Sequence, residues 1–302
     1  MLIRSKLSSE FVRCVNSPRT WNVHPSTHSR GKSIKSAIIP QNILLDSFSC
    51  QAIALYIGDG KRSGKHHIEC TSIDIDLVRL MREFFEEYLL ISPKRIFLYC
   101  RYQDKLPDAD IVSVESGVCS SRIKFYARTS LSKPSFALQV ASTVHKELMD
   151  YLYDVVPTLS LSLPLSKSFL QGLFAAEGCI NYNRSERYLV SLSFYLHYKE
   201  AKLARRVLYF LKAHGVAARM LFEKKNSLCI RITRWKNYFA CYRMQLFDVS
   251  DRKLLFSQQV LARTNFSMCS SLLAKKIQES ALSQRKIARQ LDRSPVTLSL
   301  IK

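Results

Sequence analysis

The chain has 302 residues, 47% of them apolar, enough for a sizeable core in one large domain or two smaller ones. A formal net charge of +22 points to a polyanionic partner, nucleic acid ahead of a membrane surface. No apolar run approaches the roughly 18 residues of a transmembrane helix, and no basic amphipathic helix dominates. Nine cysteines are scattered without a Cys-x-x-Cys pair, which disfavours zinc or disulfide chemistry and suits small core residues in a reducing, intracellular setting.

Residues 1–41 carry Arg4, Lys6, Arg13, Arg19, Arg30, Lys32 and Lys35 against one acid, Glu10, with poor hydrophobic periodicity. They read as a loosely attached basic arm. A DNA-contacting arm or an organellar transit segment are the functional alternatives.

Residues 52–60, Ala-Ile-Ala-Leu-Tyr-Ile-Gly-Asp-Gly, are the first of two stretches that echo each other. The second is 170–178, Leu-Gln-Gly-Leu-Phe-Ala-Ala-Glu-Gly. Each is an apolar helical segment with small residues four apart, Ala54 and Gly58 in one, Gly172 and Ala176 in the other. That spacing puts both small residues on one helix face, so two such helices can approach closely, with Ala54 against Gly172. Each ends in a carboxylate and a glycine, Asp59-Gly60 and Glu177-Gly178, the glycines suiting a left-handed helix cap. A carboxylate at the negative end of a helix is disfavoured, and two brought together repel unless a divalent cation lies beside them. The layout reads as a metal site.

The first half, 42–157, starts its motif helix near Ser47–Ser49. A basic turn at Lys61 and Arg62 follows, then a strand at His66–Ser72 and a helix from an N-cap at Asp74 to about Leu89. A strand is predicted at Arg95–Arg101, an irregular loop at 103–120, and a strand whose alternation puts Arg122, Lys124, Tyr126 and Arg128 on one face. A strand near Phe136–Ser142 and a helix near His145–Val155 complete it, and residues 158–164 read as a linker. The second half, 165–248, repeats the order. Its motif helix runs from about Ser166 to Glu177, and strands follow at Tyr188–Tyr195, Ala218–Lys224 and Leu228–Arg234. Its other helices are expected at Glu200–His214 and Trp235–Gln245. The tail, 249–302, is basic and helical, and its end suits a helix-turn-helix offering Thr297 and Ser299 to a major groove.

The paired stretches resemble the double LAGLIDADG signature of single-chain homing endonucleases, over about residues 42–246. The second copy, running on into Cys179-Ile180, is the better match, and Ile57-Gly58 departs from the usual pattern in the first. The resemblance implies an α+β fold of two pseudo-symmetric α-β-β-α-β-β-α half-domains with saddle-shaped antiparallel sheets, in a monomer, with a small helical C-terminal region. It implies a site-specific DNA endonuclease, associated with an intron or intein, that makes a double-strand break in double-stranded DNA. Asp59 and Glu177 would bind Mg²⁺ or Mn²⁺ with the carbonyls of Gly58 and Ala176, each acid serving one strand. Lys146 and Lys236 are the candidates for the basic residue that relatives place beside the metals. The candidate DNA contacts are Lys61, Arg62, Arg122, Lys124 and Arg128 in the first half, and Asn183, Arg187, Arg219, Lys224, Arg231 and Arg234 in the second. Two alternatives share the fold: a non-catalytic DNA-binding regulator with a helix-turn-helix, and a maturase acting on intron RNA.

Overall fold

The described residues of the N-terminal stretch expected as an arm are folded. In the computed structural model, which describes residues 1–9, 11–25, 36–64, 66–129, 134–183, 188–223 and 226–262, they form β1 (Leu2–Arg4), β2 (Phe11–Ser17), β3 (Thr20–Pro25) and β4 (Ala37–Pro40). Strands β2, β3 and β4 make an antiparallel sheet, and β1 pairs with β5 (Asn42–Leu44). Alternation sends Ile3, Trp21, Val23, Ala37, Ile39 and Ile43 inward, while Arg4, Lys6, Arg13 and Arg19 stay exposed. These short strands are fastened to the rest of the unit. Ser8 N–H donates to the Glu147 carboxylate, and Arg95 Nη2 donates to the Ser36 carbonyl at 3.1 Å.

Helix α1 (Ser47–Asp59) has its cap at Asp46, one residue before the expected Ser47–Ser49, because Asp46 and Ser49 form a reciprocal capping box, each side chain taking the other's backbone N–H at 2.9 Å. Every residue from Ala52 to Ile57 is buried, so the helix is enclosed on all sides rather than amphipathic. Four strands follow in the same unit: β6 (His67–Ser72), β7 (Ile96–Tyr102), β8 (Ile123–Ala127) and β9 (Ser135–Ala141), in the order β6-β9-β7-β8. Helices α2 (Ile75–Glu87) and α4 (Thr143–Val155) pack on this sheet, over a face that buries Ile68, Cys70, Leu98, Cys100, Leu138 and Val140.

Two features depart from the expected half-domain. The stretch 103–120 contains α3 (Ala109–Ser116), capped by Asp108, which accepts from Asp110 N–H at 2.8 Å, and closed by Gly117 at φ 70°. It is short and rich in β-branched residues, so its helical signal is weak. By crossing from one strand to the next it makes the β7–β8 pair parallel in an otherwise antiparallel sheet.

Helix α5 (Leu163–Glu177) starts inside the stretch read as a linker and packs along α1. The chain divides into two compact units, Met1–Glu177 and Gly178–Lys302, so both motif helices belong to the first. The second unit holds β10 (Gly178–Asn183), β11 (Tyr188–His197), α6 (Ala201–Ala213), β12 (Ala218–Glu223), β13 (Ser227–Ile232), α7 (Trp235–Arg243) and α8 (Asp251–Ala262). Its sheet is antiparallel throughout, in the order β10-β11-β13-β12, and α6 buries Leu203, Ala204, Val207, Phe210 and Leu211. The mixed α+β class is as expected. The proposed helix-turn-helix lies outside the described residues. Among the described residues no helix is long and apolar enough to cross a membrane.

Each unit by itself carries a comparable stitch between a helix and an earlier connection. The third residue of α4, His145, donates from Nε2 to the carbonyl of Leu89, just past α2, at 3.2 Å. The third residue of α7, Asn237, accepts from the N–H of Ala217, just past α6, at 3.1 Å.

Candidate metal and nucleic-acid site

Small residues let α1 and α5 touch through their backbones. A Cβ on Gly172 would run into the carbonyl of Gln51, whose Cα lies 2.8 Å from that position. The close partner of Gly172 is therefore one turn before Ala54, the residue expected to meet it, and Ala54 is itself fully buried. At the other end, a Cβ on Gly58 would overlap that of Ala176 and come within 2.9 Å of the Glu177 Cγ. The C-terminal ends of the two helices thus converge, with Asp59 and Glu177 the last residue of each and both half-buried. Between the helices, Gln51 Nε2 donates to Gln171 Oε1 at 2.9 Å. That contact was not anticipated, because the two glutamines do not occupy matching places in the two stretches.

Gly60 is not a left-handed cap. Its φ of −81° and ψ of 138° are extended, and it enters an antiparallel bridge with Cys70. Glycine is needed for closeness instead: its N–H donates to the Tyr56 carbonyl at 2.8 Å, and a Cβ would lie 2.6 Å from the Tyr56 ring. Gly178 likewise opens β10 directly. Each acid therefore sits where a helix passes straight into extended chain. Cys70, beneath the first acid, is fully buried, and burial pushes its thiol far above the usual range, with the charges of Asp59 and Glu69 adding to the shift.

The two lysine candidates differ. Lys146 is 2% exposed and its ammonium is held by Asp150 one turn along α4, whereas Lys236 is exposed in the first turn of α7. Lys61 pairs with Glu69 at 3.5 Å, and Arg62 pairs with Asp154 at 3.2 Å while lying 4.2 Å from the centre of the Tyr153 ring. Arg122 and Lys124 point to the open face of the first sheet, and exposed Arg128 closes β8 by donating its N–H to the Tyr102 carbonyl at 2.8 Å.

On the second sheet Arg219 stands opposite Arg231, which reaches Glu223 at 2.5 Å. Arg234 is exposed and takes a left-handed φ of 73° just before α7, and Asn183 ends β10. The same face carries a polar network no charge count would show: Asn181 Nδ2 donates to the hydroxyls of Ser191 and Ser193, both at 3.1 Å. Arg187, Lys224, Thr297 and Ser299 lie outside the described residues.

Among the described residues no three His, Cys, Asp or Glu side chains gather as a ready-made metal cluster. The candidate donors at the helix ends are two carboxylates and backbone carbonyls, all hard oxygen groups. Such a set suits Mg²⁺ or Mn²⁺ completed by water and phosphate oxygens rather than a metal caged by protein alone.

Several solved structures are similar to the chain at low identity. Mesophilic variants of the homing endonuclease I-DmoI share 14% identity over 66% of this chain and 94% of theirs, with a TM-score of 0.42. I-DmoI in complex with DNA and Mn shares 13% over 67% and 97%, with a TM-score of 0.41. Full-length DUF199/WhiA from Thermatoga maritima shares 12% over 85% and 91%, with a TM-score of 0.42. No curated protein matches the sequence. The model of the LAGLIDADG-like domain family matches residues 165–238, from the start of the helix that carries Glu177 to the fourth residue of α7. The match covers this second-half segment, which is similar to the LAGLIDADG-like domain.

Proposed function

We propose that this protein is a metal-dependent, site-specific DNA endonuclease that makes a double-strand break within a long recognition site. The observation that carries this reading is the convergence of the two helix ends, where Gly58 abuts Ala176 and Glu177 and brings the neighbouring Asp59 to the same end of the pair. Asp59 and Glu177, with the carbonyls of Gly58 and Ala176, would hold Mg²⁺ or Mn²⁺. When bound, such a cation supplies Lewis-acid polarisation of a phosphodiester oxygen and a bound water of lowered pKa. The protein's part is to fix two anionic side chains on rigid helix ends, so that a scissile phosphate of each strand meets one carboxylate. Lys236 is the better candidate of the two lysines for a free cation, since the ammonium of Lys146 is already engaged by Asp150. Arg219, Arg231 and Arg234, together with Lys61, Arg62, Arg122, Lys124 and Arg128, would supply phosphate and base contacts to the duplex.

A second reading, a DNA-binding regulator without cleavage, is favoured by one observation. The first half keeps only the Gly60–Cys70 bridge where the second has a full strand after its acid. Purified protein with Mg²⁺ and DNA flanking its own gene separates the two. Cleavage that falls more than about a hundredfold in both Asp59→Asn and Glu177→Gln is the expected result. Tight, Mg²⁺-independent binding that leaves the DNA intact establishes the regulator instead, and assisted intron splicing without cleavage points to a maturase.

A further inference from the structure

The open face of the first sheet is built differently from an array of charged side chains. Strand β7 presents Phe97, Tyr99 and Arg101 there, all half-exposed. The neighbouring edge strand β8 sets Lys124 beside Tyr99 and Tyr126 beside Arg101, with Arg122 just ahead of it. Cations and rings therefore alternate along and across the two strands. The Tyr99 and Tyr126 ring centres are 5.8 Å apart, and Tyr126 is 46% exposed. Arg122 lies 5.0 Å from the centre of the Phe97 ring, and Lys124 lies 5.5 Å from that ring and 5.7 Å from Tyr99.

Paired bases in a duplex are already stacked and show only their edges in the grooves, so exposed rings add little there. Unpaired bases offer their flat faces, and a sheet displaying aromatic rings between cations is the chemistry that takes them up. We propose that this face, centred on Phe97, Tyr99 and Tyr126, binds single-stranded nucleic acid by stacking unpaired bases on its rings, with Arg101, Arg122 and Lys124 taking the phosphates between them. Arg122 and Lys124 cover the rings in the free protein. They move to the strand's phosphates as bases replace them, so binding exchanges cation–π contacts for ion pairs. Among the described residues no helix covers this side of β7 and β8, and the site requires nothing of Asp59 or Glu177.

Fluorescence anisotropy on the full chain tests this with labelled oligo-dT and oligo-U of about 15 nucleotides and a mixed-sequence duplex. Tyr126→Ala should weaken binding to the single strands by about tenfold and leave the duplex unchanged, while Tyr126→Trp should restore it. Equal affinity of Tyr126→Ala and Tyr126→Trp for both oligonucleotides overturns the proposal, as does an equal fall for single strand and duplex. Tyr99→Ala, checked for an unchanged melting temperature, repeats the test at a second ring. Equal binding of dT and U supports stacking alone, and a preference for U supports the same site with RNA as its natural source. Asp59→Asn should bind single strands as the parent chain does, so a failure of the cleavage reading and a failure of this one are told apart.

Discussion

After its acid, each half of this protein takes a different course. Glu177 leads into a six-residue strand paired along β11, whereas Asp59 leads into a single bridge, Gly60 to Cys70, continued by one hydrogen bond from Lys61 N–H to the Glu69 carbonyl at 2.8 Å. Thus β6-β9-β7 corresponds to β11-β13-β12, while β8 is an addition on the far edge. The open faces have parted too, one alternating rings with cations, the other linking serines and Asn181 by hydrogen bonds. What stayed alike is the helix pair, whose two backbones meet where any larger side chain would push them apart. A sheet face exposed on one side tolerates new residues, while a contact between two helix backbones constrains both at once.

The stitch between helix and connection should break this likeness most strongly. Burial pushes His145 down to about 4 from its ordinary 6.5, although the hydrogen bond to the Leu89 carbonyl works the other way. The folded first unit therefore keeps His145 neutral while the unfolded chain protonates it, and stability is lost as pH falls from about 6.5 towards 4, by about 3 kcal/mol in all. Asn237, its counterpart, does not titrate. Denaturation midpoints of His145→Asn should be nearly flat across that window, and a parent-like slope in the variant would remove His145 as the cause.

Gly172→Ala comes next, with a loss of about 2 kcal/mol, because the added methyl meets backbone that cannot swing aside. Gly58→Ala, at the helix ends, should cost less stability but displace Glu177. Its mark would be a larger fall in cleavage than in melting temperature. The glutamine pair is a smaller test of symmetry. In the alignment of the two copies, Gln51 and Gln171 correspond to apolar residues, Phe169 and Ile53. Gln51→Leu or Gln171→Leu alone should cost about 1–2 kcal/mol by removing the hydrogen bond between them, and the double variant should cost less than the sum of the two. A double-mutant cycle in denaturant gives the coupling directly. The smallest effect is at the start of α1. Asp46→Ala removes the capping box and should lower stability by about 1 kcal/mol. That contribution fades in acid. Burial alone would raise the Asp46 pKa, but hydrogen bonds from the Tyr88 hydroxyl at 2.5 Å and from Ser49 hold it below the usual value.

Long elements with a clear period could be read from the sequence alone. The strict alternation of Tyr188–Tyr195 and the apolar stripe of Glu200–His214 appear nearly as written, as β11 and α6. The carboxylates ending both motif helices were also in view, because a helix finishing in an acid and a glycine breaks the usual dipole preference. Other features depend on distant partners. Strands such as Leu2–Arg4 and Ala37–Pro40 are three and four residues long, too short for a period to rise above the surrounding charge. The glycine after Asp59 suggested a left-handed turn, yet what demands it is the Tyr56 ring and carbonyl beside it. Phe97, Tyr99 and Tyr126 looked like ordinary strand residues until the parallel pairing of β7 and β8 gathered them on one face.

The enclosure of α1 has a consequence for how the chain is made. Its apolar surface is covered in part by α5, which leaves the ribosome only after on the order of a hundred further residues have been added. Until Glu177 is out, the nascent first unit has α2, α4 and β6 against α1 but lacks α5, its most extensive neighbour. A slow codon run or a chaperone acting over that interval would protect it, and a premature stop before α5 would leave a fragment prone to aggregate.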